Sequence, residues 1–154
     1  MPEDLTFKMQ ENWSTIVPSD TLAIAVVCER IISGLKEVDF SEDDVFAVHL
    51  ALEEAFINAV KHGNRLDPAK KIQIEYTRSE DKVQISITDE GEGFNPSDVP
   101  DPRVGDNLYK ADGRGIFLMQ SYMDEVKFNE RGNHVDMVRY RCGRKASSGQ
   151  SSKE

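Results

Sequence analysis

Two apolar segments joined by a short polar turn restrict the fold of this chain more than any other feature. Each segment alternates apolar with polar residues, and the apolar positions are Ile72, Ile74 and Tyr76, then Val83, Ile85 and Ile87. Alternation with a period of two is typical of a half-buried strand. The turn from Arg78 to Lys82 is too short for the crossover helix that parallel strands would need. The pattern therefore predicts an antiparallel hairpin.

Two helices are predicted before this hairpin. A mostly apolar run from Leu22 to Ile32 predicts the first, and Ser33-Gly34 weakens the helical pattern near its end. Ser41 precedes three acidic residues and predicts the N-cap of the second helix, because a hydroxyl caps free N–H groups and acids favour the helix dipole. Apolar residues at helical spacing continue to Gly63-Asn64, where we expect this helix to end.

The ends of the chain predict further strands. Apolar residues alternate from Leu5 to Met9 until Asn12 to Ser14 interrupts them, which predicts an opening strand. Ile116 to Met123 predicts a short helix, and Val126 to Tyr140 predicts a last hairpin around a Gly-containing turn. Because hairpins join consecutive strands, the expected fold is an α/β (α+β) two-layer sandwich, with a mostly antiparallel sheet and helices on one face.

Length and composition limit the organisation of the chain and its partners. With 154 residues, we expect one domain over 1–142 and a flexible tail over 143–154, which lacks apolar anchors. The net charge of -9 disfavours direct nucleic-acid binding. The sequence has no signal-peptide pattern and no apolar run of membrane-spanning length, so a cytoplasmic protein is expected. Cys28 and Cys142 lack metal-site spacing and are predicted to be reduced thiols.

The second helix carries an unusual polar stripe. Glu54, Asn58 and His62 are four residues apart, so they lie on one side of a regular helix, with Lys61 nearby. Such a stripe is commonly a solvated surface. Asparagine is a mediocre helix former, however, and its amide oxygen can ligate Mg²⁺, which often shares oxygen ligands with phosphates. A carboxylate one turn earlier could accept a proton from an attacking hydroxyl.

Two glycine-containing segments follow the predicted hairpin. Asp89 ends a strand and precedes Gly91 and Gly93, which is compatible either with a polar β-turn or with a carboxylate that accepts a hydrogen bond from an exocyclic amine beside a flat base. Gly113-Arg114-Gly115 opens the last helix, and this segment is compatible with a plain helix start or with a phosphate site. Arg114 is either a phosphate contact or a solvent-facing charge. His49 and His134 are assigned no role.

In order and spacing the three segments resemble one family. Residues 54–63, EAFINAVKHG, are similar to the N-box of the GHKL ATPase superfamily, residues 89–93 to its G1 box and residues 113–118 to its G2 box. Within the superfamily the N-box is most similar to that of bacterial anti-sigma factors that are also protein serine kinases. The resemblance extends over roughly Leu22 to Tyr140.

This resemblance implies a Bergerat-type fold that binds Mg-ATP, phosphorylates a serine or threonine of an anti-anti-sigma factor and sequesters a sigma factor; a homodimer is compatible with it. It implies Glu54 as general base, with Glu53 as the alternative, and residues 95–112 as an ATP lid. Asn58 would hold Mg²⁺ and Asp89 would read adenine. The remaining pocket residues would be Lys61, His62, Gly91, Gly93, Gly113, Arg114 and Gly115. An ATP-dependent binding module without phosphoryl transfer is the other open hypothesis.

Overall fold

The computed structural model describes residues 10–91 and 111–141. The five strands are β1 (Glu11–Pro18), β2 (Lys71–Arg78), β3 (Lys82–Asp89), β4 (Glu125–Phe128) and β5 (His134–Tyr140). The three helices are α1 (Ile24–Glu37), α2 (Glu42–Asn58) and α3 (Ala111–Tyr122). A short 3₁₀ turn over Thr21–Ala23 precedes α1, and a π-helical turn over Ala59–Gly63 continues α2.

The strands form one antiparallel sheet in the order β1-β2-β3-β5-β4. One face of the sheet is buried: Ile74 pairs with Ile87, which pairs in turn with Val135, and all three belong to the core shared with α1, α2 and α3. The intervening residues of β2 are exposed. This confirms the predicted α+β fold and both predicted hairpins. Among the described residues, no helix is long and apolar enough to cross a membrane.

The first strand lies later in the chain than its predicted position. Residues 5–9 lie outside the described residues, and the strand occupies Glu11–Pro18, where Asn12 to Ser14 had indicated an interruption. Every residue of β1 pairs with β2, and Trp13 packs at 4.9 Å between ring centroids on Tyr76. Strand pairing with β2 thus overrides the weak local pattern, because strand formation depends on cross-strand contacts more than on intrinsic preference.

Helix α1 is not weakened at Ser33-Gly34 but continues to Glu37. A Cβ atom on Gly34 would lie 2.6 Å from the Tyr76 hydroxyl oxygen, so the glycine permits close approach of α1 to β2. Arg78, which the sequence indicated as a turn residue, is 1% exposed and donates from Nη1 to the Gly34 carbonyl oxygen at 2.7 Å. The tertiary contact gives Nη1 of this buried guanidinium group a hydrogen-bond partner.

Helix α2 begins as predicted. The Ser41 Oγ accepts from the Asp44 N–H at 3.0 Å, and the Asp44 carboxylate accepts from the Ser41 N–H at 3.3 Å, which forms a capping box. The Asp44 carboxylate also lies 2.8 Å from the Arg139 guanidinium on β5. These contacts fix the start of α2 against the sheet, so that its other end reaches the ends of β3 and β5.

Helix α3 begins earlier than predicted, at Ala111, so Gly113 and Gly115 lie inside its first turns rather than before it. The predicted segment 95–112 lies almost wholly outside the described residues, as do Gly93, Cys142 and the tail. Cys28 is a buried free thiol.

Candidate functional site

A cleft opens between the C-terminal half of α2 and the ends of β3 and β5. The space between its walls, open solvent included, is about 230 Å³. Asn58 and Asp89, which the sequence predicted as site residues from segments 31 positions apart, both line it. The other lining residues are Ala55, Ala59, Ile87, Phe128, Gly132, Asn133, His134 and Val135. The cleft thus combines an apolar floor with a few polar groups, which is the usual composition of a small-molecule site.

Two glycines allow the backbone to close around Asp89. A Cβ atom on Gly63 would overlap the Asp89 carboxylate, and a Cβ atom on Gly91 would overlap the Gly63 carbonyl. Since these neighbours include backbone atoms, no side chain could be accommodated at Gly91 by a rotamer change. The Asp89 Oδ1 accepts from the Gly91 N–H at 2.8 Å. The end of the π-helical turn and the end of β3 therefore form one compact corner.

Two asparagines that the sequence did not single out hold this corner in position. Asn64 is fully buried; its Oδ1 accepts from the Glu90 N–H at 2.8 Å, and its Nδ2 donates to the Lys71 carbonyl at 3.1 Å. The backbone carbonyl of Asn133 accepts a hydrogen bond from the Asp89 N–H at 2.9 Å. Their positions, directly after the Gly63 helix end and inside the β4–β5 turn, were the available signal. Their role depends on contacts distant in sequence, which a local pattern does not contain.

The Asp89 carboxyl group has an unusual environment for an acid. Burial raises its pKa, and the Gly91 N–H bond and the positive charges of Lys70 and Arg131 oppose that increase only in part. The residue is 7% exposed. A buried carboxylate is stabilised by each further N–H donor it receives. Asp89 can therefore select a ligand that presents a donor to the cleft.

The adjacent glutamates of α2 have different surroundings. The Glu54 side chain is half-buried, and a Cβ atom on Gly115 of α3 would lie 2.8 Å from its Oε1. The Glu53 Oε2 instead lies 3.0 Å from the His49 Nε2. The structure thus brings Glu54 together with the predicted glycine segment of α3, and it directs Glu53 elsewhere.

The predicted polar stripe does not continue regularly to its end. Beyond Asn58 the helix widens into the π-helical turn, in which the Asn64 N–H donates to the Ala59 carbonyl at 2.8 Å, five residues earlier. The prediction that His62 continues the stripe at regular helical spacing is therefore wrong. Lys61 is exposed and His62 half-buried, and neither lines the cleft. Such π-turns occur frequently at functional sites.

The predicted glycine segment, residues 113–115, lies near the start of α3. Gly113 and Arg114 lie in the first turn of this helix, and Gly115 is buried against α2. The first N–H groups of a helix have no partner within the helix, and they favour an anion.

Comparison with known proteins identifies relatives of this chain. Residues 17–139 match the family described as the histidine kinase-like ATPase domain. The chain is 28% identical over 120 residues to the serine-protein kinase RsbW of Bacillus licheniformis, over 71% of this chain and 73% of the relative. It is 26% identical over 136 residues to the serine-protein kinase RsbW of Bacillus subtilis, over 82% and 84%.

A solved structure has a similar fold. The crystal structure of the RsbU and RsbW domains of a Mycobacterium tuberculosis protein matches with a TM-score of 0.55 and 12% identity. The match covers 85% of this chain but only 31% of that longer chain. Since the family match extends over most of the sequence, the chain belongs to the histidine kinase-like ATPase family.

Proposed function

We propose that this chain is a Mg-ATP-dependent protein serine/threonine kinase that acts as an anti-sigma factor and phosphorylates an anti-anti-sigma antagonist. One observation carries the proposal: Asn58 and Asp89 line the same cleft, beside a corner in which Gly63 and Gly91 let the backbone close around the Asp89 carboxylate. The cleft therefore combines an amide oxygen that can ligate a cation with a buried carboxylate that can accept a hydrogen bond from a nucleobase.

Asp89 is proposed to read adenine. Its carboxylate is buried, offers only acceptors and is anchored from one side by the Gly91 N–H. The exocyclic amine of adenine is a donor, whereas guanine presents a carbonyl oxygen at the corresponding ring position. Ionised Asp89 should therefore accept ATP and disfavour GTP.

Asn58 is proposed to hold Mg²⁺ through its amide oxygen. A hard cation takes oxygen ligands and commonly shares them with phosphates, and the half-buried position of Asn58 on the cleft fits this role. The cation, when bound, would offset negative charge that develops on the phosphates. The N–H groups of the first turn of α3, which includes Gly113, suit phosphate oxygens, and Gly115 stays a predicted contact. Lys61, His62, Gly93 and Arg114 stay predicted contacts.

Glu54 is proposed as the general base. Its carboxylate would take the proton of a serine or threonine hydroxyl as the hydroxyl oxygen forms a bond to the γ-phosphorus and the bond to ADP breaks. The contact of Glu53 with His49 supports Glu54 over its neighbour, because the Glu53 carboxylate is already engaged on another side of α2. The serine-protein kinase names of the relatives support the same reaction class.

The direct test combines the chain, γ-labelled ATP, Mg²⁺ and the anti-anti-sigma-like proteins of its own genome. We expect label on a serine or threonine of one of these proteins. We also expect the chain to bind a sigma factor in the presence of ATP, and this binding should be sustained when the antagonist is phosphorylated. Asn58→Ala should lose Mg-dependent ATP binding while keeping the fold, since Asn58 lies outside the core. Gln73→Ala, which truncates an exposed amide on the outer face of β2, is the matched control.

Two results would contradict the proposal. Unchanged ATP affinity in Asn58→Ala would remove this residue from the site. A parent chain that binds ATP and its antagonist but never transfers phosphate would favour the ATP-dependent binding module instead.

A further inference from the structure

A second group of ligand-type side chains lies between α1 and α2. It consists of Cys28 on α1 with His49 and Glu53 on α2, and their ligand atoms all lie within 4.8 Å of one another. His49 and Glu53 are four residues apart, so their side chains meet on one side of α2, with 3.0 Å between Nε2 and Oε2. Cys28 faces them from the buried side of α1.

The chemistry of this group is selective. Thiolate sulfur and imidazole nitrogen prefer zinc-type cations, whereas Mg²⁺ requires oxygen ligands and nearly ideal octahedral geometry. We propose that Cys28, His49 and Glu53 form a three-ligand site for one zinc-type divalent cation, which joins α1 to α2. Three protein ligands would leave a fourth tetrahedral position to water.

The site is accessible to a cation from solvent on one side only. Side chains of His49 and Glu53 are 43% and 45% exposed, while Cys28 is 5% exposed. An ion can therefore reach the imidazole and the carboxylate first and the sulfur last. The Glu53 carboxylate and the net charge of -9 both favour a cation over an anion.

The same geometry explains how the chain folds without the cation. Burial, together with the nearby Glu53 carboxylate, raises the pKa of the Cys28 thiol to about 12, so the thiol keeps its proton and packs as a small apolar group. A bound cation would replace that proton, which passes to solvent. If Cys28 were only a core cysteine and His49 and Glu53 only a surface pair, we would not expect one cation to bind all three residues.

Titration of the full chain with Co²⁺, followed by competition with Zn²⁺, tests the site directly. We expect one ion per chain, a thiolate-to-cobalt charge-transfer band in the near ultraviolet, and loss of the band when Zn²⁺ displaces Co²⁺. Binding to the folded state should also raise the Tm in proportion to the logarithm of free Zn²⁺.

Matched variants assign the ligands. Cys28→Ser and His49→Gln should each abolish the band and the Zn²⁺-dependent rise in Tm. Glu53→Gln should keep the band, because the thiolate ligand remains, and should weaken binding by at least about tenfold, because an anionic ligand is lost. Cys142→Ser, at the only other cysteine of the chain, and His134→Gln, at a histidine on β5, should bind like the parent.

Several outcomes would overturn the site. These are no band at one equivalent of Co²⁺, a band that survives Cys28→Ser, or a band that Cys142→Ser removes. His49 is half-exposed, so His49→Gln should not disturb folding, and normal binding by this variant would also refute the proposal. All of these readouts are independent of ATP, so their failure would leave the proposed kinase function untouched.

Discussion

Two sides of helix α2 have different surroundings, although Glu53 on one side and Glu54 on the other are adjacent in sequence. Glu54 lies against Gly115 of α3, and Asn58 lines the cleft together with Asp89. His49 and Glu53 point towards α1 and the buried Cys28. One step along a helix rotates a side chain by about 100°, so chemically identical carboxylates acquire different neighbours. The comparison shows that position on the helix, rather than residue type, separates the proposed phosphoryl-transfer side from the proposed cation side.

The largest expected effect comes from replacing Glu54 with glutamine. Glu54→Gln should lower phosphoryl transfer by about 10² to 10⁴, because glutamine keeps size and hydrogen bonding but cannot take the hydroxyl proton. ATP affinity should be unchanged or slightly tighter, since a negative charge near the γ-phosphate is removed. Single-turnover transfer to the antagonist, measured beside an ATP-binding curve, separates the two quantities.

Glu53→Gln is the matched control for this experiment. It makes the same chemical change one residue earlier, at a carboxylate that lies against His49, and transfer should continue at the parental rate. If Glu53→Gln slowed transfer and Glu54→Gln did not, the assignment of the two sides of α2 would be reversed.

A smaller effect is expected at the adenine end of the cleft. Asp89→Asn should weaken the binding of ATP by about 1.5 to 3 kcal/mol, or roughly 10- to 150-fold. The amide replaces one acceptor with a donor, and a charge-assisted hydrogen bond to adenine is lost. Asp81→Asn, in the exposed turn between β2 and β3, should leave affinity unchanged. Equal binding of ATP and GTP by the parent chain would show that Asp89 does not read adenine.

Gly115→Ala should have a modest effect that reports on Glu54 alone. The new methyl group would meet the Glu54 Oε1 at 2.8 Å, so the flexible end of that side chain must move. We expect transfer to fall by less than about tenfold, well below the effect of Glu54→Gln. The same substitution in a Glu54→Gln background should add little, because the base is already absent. A full, additive loss in the double variant would indicate that Gly115 acts on something other than Glu54.

The smallest effect is a change in stability without ligand. Folding raises the Asp89 pKa above its ordinary value of 3.8, so ionisation of this carboxyl group destabilises the folded chain increasingly as pH rises from 3.8 through the folded-state pKa. Asp89→Asn should therefore raise the Tm of the ligand-free chain at pH 7, and the gain should vanish below pH 3.8, where the acid is protonated in both states. A lower Tm at pH 7 would mean that the Gly91 hydrogen bond outweighs burial.

Much of the site could be read from local sequence because each part is a local structure. The Ser41 capping signal, the apolar spacing of α2 and the hairpin after it together predict where Asn58 and Asp89 lie in their elements. The contributions of Asn64 and Asn133 could not be predicted, since each depends on a hydrogen bond to a residue distant in sequence, Glu90 for Asn64 and Asp89 for Asn133. The continuation of the polar stripe failed at His62 because a π-turn depends on packing at the helix end.

The sequence by itself determined the antiparallel hairpins, the two-layer architecture and the candidate residues, because side-chain period and capping chemistry act over a few neighbouring positions. Only the tertiary structure decided which glutamate lies against Gly115 of α3 and that Cys28 meets His49. It also decided that Gly34 lets a buried arginine join α1 to the sheet. These outcomes depend on how helices rotate and approach when they pack, and close packing couples that choice to residues far apart in the chain.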